Sequence, residues 1–494
     1  MTVKDGYTLS STDHGDLPRR VMRSTYWMLL NSGAVKALGF LTQVVLALIL
    51  AREDFGVFAV ALALSALLTN FRGGGTLQWF IQGGRVSYED RSGPVFWLSS
   101  TFNLLLGALI CSVAMPAGAF FGDSQIGQLV LITGAAFPLL SLGAYYKSCL
   151  AIDLRMKEVT QIEIAGTTIR SLMMVGLAIA GFGPLSFVLP LPVSHAVEGV
   201  LGYWFTREKP WRKDARVREW GGLILRTRWI LAGTFVITLG LQADYLVLGR
   251  FLTLASVGVY FFAYQMTFMS ASIITNNVRR VLTPALVATP DDRVAAASVA
   301  AARTTLTLGA PVLLVLACII EPAESLIWSG KWADAVVPVQ VMCLGLPLQL
   351  LTMVTQASLN SSGNFRLWTA VNSVRAAFTV VGAGVAGIFF ADDISMIAAV
   401  MAGSFALANL IQVRVAFGDL GVRTRELLPA IWQSVALGPV VVVVVLLLTE
   451  EMRTSAWATL IIAPAIFLAA YLGVMMVVAR TNLRSAVHAL LRSR

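Results

Sequence analysis

The chain has 494 residues, of which 57% are hydrophobic and 13% charged, with a net charge of +10 and a mean hydropathy of +0.76. A soluble domain carries about 25% charged residues, so a water-soluble globule of this size is excluded. The positive excess is read as topogenic and lipid-facing charge, with no nucleic acid expected as a partner.

Apolar runs alternate with short polar ones from Tyr26 to Val478. A run of about 20 apolar residues crosses a hydrocarbon core of about 30 Å. The expected fold class is therefore all-α: a polytopic membrane protein of about 14 transmembrane helices. Met1 to Arg23 is largely polar, and the apolar stretch after it is too long for a signal-peptide core, so the first span is expected to be retained. The spans are expected near 24–51, 55–72, 95–121, 127–150, 160–181, 185–206, 226–250, 257–281, 300–321, 335–360, 366–390, 395–417, 429–449 and 454–479. The charged stretch Arg207–Trp220 divides them. The expected organisation is a cytoplasmic tail (1–23), a six-helix lobe (24–206), a basic linker (207–225), a second six-helix lobe (226–417), a helix pair (418–479) and a basic tail (480–494).

Of the 37 Lys and Arg, an N-terminus in the cytoplasm leaves about 30 on the cytoplasmic side and about four outside (Arg52, Arg250, Lys331, Arg453). Both termini are thus expected in the cytoplasm. An internal repeat supports two lobes. Leu48-Ile49-Leu50-Ala51-Arg52 precedes Gly56-Val57-Phe58, and Leu246-Val247-Leu248-Gly249-Arg250 precedes Gly258-Val259-Tyr260. Cys111, Cys149, Cys318 and Cys343 fall within or beside apolar segments without a CxxC pair, so reduced thiols are expected, with no metal.

Charges inside spans cost at least about 2.5–3.5 kcal/mol each at a helix centre, which makes them functional candidates. Lys36, Arg170 and Arg375 qualify, with Arg279 and Arg280 near the end of their span. Arg170 lies thirteen residues beyond Lys157, about 20 Å along an ideal helix, which is deep for snorkelling. These cations suit phosphate oxygens; the competing reading is structural ion pairing with Glu163, Glu198 or Asp244. His195 and Glu198 share a helix face at i, i+3 spacing and are candidates for ion coupling, or a satisfied polar pair. Asp244 is a further coupling candidate or an interhelical contact. Trp328 and Trp332 are expected at headgroup level, and Pro284 just past its span. Arg72-Gly73-Gly74-Gly75 reads as a helix break, since no GxxxxGK[ST] motif is present and no nucleotide or other cofactor is expected.

Four segments carry a family resemblance: Ala51-Arg52-Glu53-Asp54-Phe55-Gly56-Val57-Phe58, Asp153-Leu154-Arg155-Met156-Lys157, Gln242-Ala243-Asp244-Tyr245-Leu246-Val247-Leu248-Gly249-Arg250-Phe251 and Ser329-Gly330-Lys331-Trp332. With these, roughly residues 20–420 resemble the polysaccharide-transporter (Wzx-type flippase) branch of the multidrug/oligosaccharidyl-lipid/polysaccharide exporter superfamily. One departure is that Ala151-Ile152 stand where an Arg commonly precedes the second segment. The resemblance implies two six-helix bundles around a V-shaped central cavity, in the inner membrane of a bacterium. It implies movement of an undecaprenyl-diphosphate-linked repeat unit between leaflets, so the partners expected are lipid-linked oligosaccharide, membrane lipids and the polysaccharide polymerase and export machinery. Two alternatives stay open. One is a drug or metabolite antiporter of the same superfamily, which would need a titratable carboxylate such as Glu198 or Asp244. The other is a membrane glycosyltransferase or polymerase, which would need convergent acids on a loop, where only Asp291-Asp292 and Asp392-Asp393 stand.

Overall fold

The computed structural model describes residues 17–69, 71, 76–287, 289, 291–361, 365–422, 431–432, 437–449 and 456–478. Most of the cytoplasmic tail expected over 1–23, the Gly73–Gly75 run and the basic tail over 480–494 lie outside the described residues.

The described chain is helical because its long runs of Leu, Ala, Val and Ile have no water at membrane depth, and only a helix satisfies every backbone group within one segment. The helices are α1 (Leu17–Ile49), α2 (Arg52–Thr69), α3 (Thr76–Gly83), α4 (Tyr88–Phe121), α5 (Ser124–Ile152), α6 (Met156–Ile179), α7 (Pro190–Thr206) and α8 (Trp220–Phe251). They continue with α9 (Leu254–Val287), α10 (Asp291–Ile327), α11 (Ala333–Gly345), α12 (Gln349–Ser361), α13 (Phe365–Phe389), α14 (Ile394–Asp419), α15 (Gly438–Thr449) and α16 (Ala456–Val478). Eleven stretches among the described residues are long and apolar enough to cross a membrane. The chain is a multi-pass membrane protein. The expected number of about fourteen is approximate: α2 carries Arg52, Glu53 and Asp54 in its first turn, α15 is a short helix, and part of the span expected over 429–449 lies outside the described residues.

The span expected over 335–360 is one apolar stretch, Ala333–Gln356, in which α11 and α12 meet at a 3-10 turn, Leu346–Leu348, where Pro347 has no N–H to continue the ladder. One boundary differs from expectation. Pro284 lies inside α9 instead of past its end.

The helices group into two compact units. The first contains residues 1–46, 71–116 and 127–231. Its core is the aromatic cluster of Phe80, Tyr88, Phe96, Tyr145 and Tyr146, with Phe80 and Tyr145 stacked at 6.0 Å. The linker folds onto this core. Glu208 accepts hydrogen bonds from Tyr88 and from Lys213 Nζ (2.9 Å), and its carbonyl accepts one from Tyr146 (3.1 Å). Lys213 also donates to Ser92 (3.0 Å), so this lysine is pinned while most of the basic linker around it stays exposed.

The second unit contains residues 47–70, 117–126 and 232–494. Here α2 packs on α9. A Cβ on Gly56 would sit 1.9 Å from the Leu254 carbonyl oxygen, and one on Gly258 would sit 1.9 Å from that of Arg52. Each glycine thus faces the carbonyl four residues before the other. The repeated glycines mark a close helix crossing, which only a missing side chain permits.

The loop 328–332 is also part of this packing. Gly330 holds φ +86°, a left-handed turn suited to glycine. Trp332 is fully buried, stacks on Phe262 at 4.3 Å and donates from Nε1 to the Ala47 carbonyl (3.0 Å). Trp328 is buried too. Both tryptophans are therefore core residues instead of headgroup anchors, since Phe55, Phe262 and Glu324 enclose them. Beside them, Lys331 donates to the carbonyls of Leu48 (3.0 Å) and Leu50 (2.6 Å), and Arg52 pairs with Asp334. Burial pushes the Lys331 ammonium below its ordinary value, Asp54 pulls it back up and Arg52 lowers it further.

Candidate functional site

Within the first unit, four helices converge on a charged cluster. α5 brings Lys147, α6 brings Glu163 and Arg170, α7 brings Glu198 and α1 brings Asn31. Lys147 Nζ stands 3.0 Å from Glu198 Oε2 and 3.4 Å from Glu163 Oε1. Asn31 donates to the other Glu163 oxygen. Glu163 and Arg170 are seven residues apart, about two turns, which puts them on one face of α6. Arg170 faces Glu198 electrostatically, while its Nε is buried with no hydrogen-bond partner.

Two glycines make room for Glu198. A Cβ on Gly143 of α5 would approach its Cβ to 2.9 Å, and one on Gly166 of α6 its Cγ to 2.8 Å. The carboxylate lies in a notch between those helices. The cluster balances two cations, Lys147 and Arg170, against two carboxylates, Glu163 and Glu198. Glu163, Glu198 and Lys147 keep between 18% and 35% side-chain exposure, so the network is reachable. Lys36 is half-buried on α1, five residues on from Asn31, and His195 is half-buried on α7, three residues before Glu198.

In the second unit, Asp244 of α8 is buried at 1% exposure and accepts a hydrogen bond from Tyr260 of α9 (2.9 Å) and from the Tyr245 N–H (3.0 Å). Arg375 of α13 is its electrostatic partner, with Tyr264 alongside. The Arg375 Nε is likewise enclosed without a hydrogen-bond partner. Tyr245, Tyr260 and Tyr264 pack edge-on or stacked around the carboxylate at 5.7–6.3 Å between ring centroids. The backbone of α9 includes Arg279 and Arg280, whose side chains lie outside the described residues.

The structure thus brings Arg170 together with Glu198, and Arg375 with Asp244. It also adds Lys147, which the sequence reading missed. Lys147 falls three residues from the end of the expected span 127–150, where a lysine reads as a snorkelling anchor. Its signal was available in the two carboxylates of the next spans, Glu163 and Glu198, which need a cation. At the family segment Asp153–Lys157, Arg85 donates to Asp153 (2.7 Å).

A family profile described as polysaccharide biosynthesis protein matches residues 45–338. The chain is 24% identical over 319 residues to the succinoglycan biosynthesis transport protein ExoT of Rhizobium meliloti (strain 1021), covering 64% of each chain. It is 22% identical over 342 residues to the lipopolysaccharide biosynthesis protein WzxC of Escherichia coli (strain K12), covering 66% of this chain and 67% of that one. Among solved structures, the lipid II flippase MurJ in an inward closed conformation matches with a TM-score of 0.71 at 14% identity, over 91% of this chain and 99% of that one. An inward-facing multidrug resistance MATE family transporter of the MOP superfamily matches at 0.60 and 16% identity, over 78% and 94%. The fold is that of the MOP-superfamily transporters, and the match over more than half its length shows that the chain belongs to the polysaccharide biosynthesis protein family.

Proposed function

We propose that this protein is a flippase that carries a polyprenyl-diphosphate-linked oligosaccharide from the inner to the outer leaflet of a bacterial plasma membrane. The observation that carries the reading is the cluster of Lys147 and Arg170 within apolar helices of a transporter fold. A cation at a helix centre costs at least about 2.5–3.5 kcal/mol, so the fold retains Arg170, well inside α6, for a purpose. Glu163 and Glu198 hold the cations in place before cargo arrives. A diphosphate offers oxygens that compete with Glu198 for Lys147 and supply an acceptor for the Arg170 guanidinium, unpartnered at Nε. Lys36 extends the cationic wall along α1, and Arg279 and Arg280 are the candidates contributed by α9, while Arg375 of α13 is enclosed beside Asp244.

Moving one negative charge outward gains about 2.3 kcal/mol per 100 mV in an inside-negative cell. Glu198, with His195 on the same face of α7, would take up protons if transport is also ion-coupled. On this reading both termini are cytoplasmic, with lobes over 24–206 and 226–417 and a helix pair over 418–479. The partners are membrane lipids and a polysaccharide polymerase or export complex that takes the flipped unit.

Deleting the gene tests the class. Complete lipid-linked repeat units should accumulate on the cytoplasmic leaflet; truncated glycans would point to a glycosyltransferase and sink the flippase reading. Orientation is tested in a cysteine-free background. Arg218→Cys should be shielded from impermeant thiol reagents in intact cells, and Asp392→Cys should label, both sites being exposed on the protein. Labelling at position 218 alone would reverse every inside and outside assignment.

A further inference from the structure

We propose that a pocket of the second unit, between α2, α8 and α9 around Gln242, is a subsite for one sugar ring of the cargo; this rests on the glycolipid reading above. The pocket has a cavity volume of about 80 Å³, is open on one side, and is lined by Leu62, Gln242, Tyr264, Gln265 and Phe268 among others. The Gln242 Oε1 is buried and has no hydrogen-bond partner. Gln242 stands nine residues before the end of α8 and Gln265 eleven after the start of α9. At 1.5 Å per residue these are about 14 and 16 Å along the helices, near mid-depth of a core of about 30 Å. An orphaned amide oxygen at that depth is costly, which points to an occupant that donates to it.

The chemistry of the walls selects the occupant. Phe268 is half-buried and stacks on Tyr264, with ring centroids 5.3 Å apart at 11°. Aromatic rings set beside two amides match a pyranose, whose C–H face packs on a ring while its hydroxyls donate to and accept from glutamine. A hydrocarbon chain would suit Phe268 and Leu62 and leave Gln242 unsatisfied. A cation would find no carboxylate in this lining. Tyr245 belongs to both the pocket wall and the Asp244 shell, so the subsite adjoins that buried carboxylate's enclosure.

The full chain in nanodiscs tests this with two probes: undecaprenyl diphosphate, and the lipid-linked oligosaccharide extracted from the deletion strain. The readout is the ratio of their Kd values, measured on variants that elute as monodisperse protein. The wild type should favour the glycan-bearing lipid. Gln242→Leu should shrink that preference about tenfold, the size of one well-placed hydrogen bond. Phe268→Ala should shrink it further, and Gln242→Asn should restore part of it. Preference at the wild-type level in both Gln242→Leu and Phe268→Ala overturns the subsite, as does a wild type that binds both probes equally. A wild type that binds neither overturns the flippase reading itself.

Discussion

The two intramembrane charge clusters are built to opposite rules. In the first unit, Lys147 reaches two carboxylates at 3.0 and 3.4 Å, Asn31 shares one of them and the groups keep partial exposure. In the second, Asp244 is sealed at 1% exposure by Tyr260, Tyr245 and Tyr264, with Arg375 as its electrostatic counterweight. A network that keeps 18–35% exposure at its lysine and carboxylates, with several partners, exchanges one ligand for another at modest cost. A dry pair inside an aromatic shell loses more when broken than it gains by existing, because removal of one partner strands the other charge. The first arrangement suits a site that meets an anion, and the second suits a fastening between helices.

The largest effect is therefore expected in the dry cluster. Arg375→Leu should cost about 3–5 kcal/mol by leaving Asp244 uncompensated, seen as a loss of protein in the membrane fraction. Adding Asp244→Asn should recover much of that abundance. Abundance unaffected by Arg375→Leu would erase the distinction between the clusters.

Arg170→Gln should leave abundance close to wild type, since Glu198 keeps Lys147 at 3.0 Å. Export of the glycan should fall by one to two orders of magnitude, matching the loss of about 1.5–3 kcal/mol for a charged hydrogen bond. Arg170→Lys should keep part of the activity, because the charge survives without the forked geometry. Lys147→Gln should reduce both abundance and transport. Lys147→Gln with Glu198→Gln should bring back abundance alone; recovery of transport as well would make Lys147 a structural counter-ion and nothing more.

The smallest effect is expected outside both clusters, at Lys331. Burial holds its ammonium below the ordinary 10.5, so the unfolded chain binds more protons in the window between its folded value and 10.5. Stability should therefore rise with pH through that window. Lys331→Met should flatten the rise, with an amplitude under about 1 kcal/mol, as read from Tm between pH 8 and 10.5. An unchanged slope in the variant would assign the pH dependence to other groups.

How much was legible varied by site, for physical reasons. Arg170, Arg375, Glu198 and Asp244 stood out because a charge in an apolar run is conspicuous in one dimension. Their pairing was not, since Glu198 accepts from a lysine fifty-one residues earlier. Lys147 was hidden by its position near a span end. Trp332 was misjudged because a tryptophan beside a polar loop looks the same whether lipid headgroups or Phe262 and Phe55 surround it. The glycines Gly56 and Gly258 were visible as a repeat, although their meaning, mutual contact with carbonyls four residues upstream, required two helices to be brought together.

Composition and periodicity by themselves determined that this chain spans a membrane many times as helices, because apolar length and the need to satisfy backbone hydrogen bonds are local properties. They also determined which charges had to be accounted for. Only the tertiary structure decided which of those charges meet, which stay reachable and which are sealed. Ion pairing and burial depend on groups far apart in sequence, and a glycine notch such as that around Glu198 exists only once α5, α6 and α7 are packed.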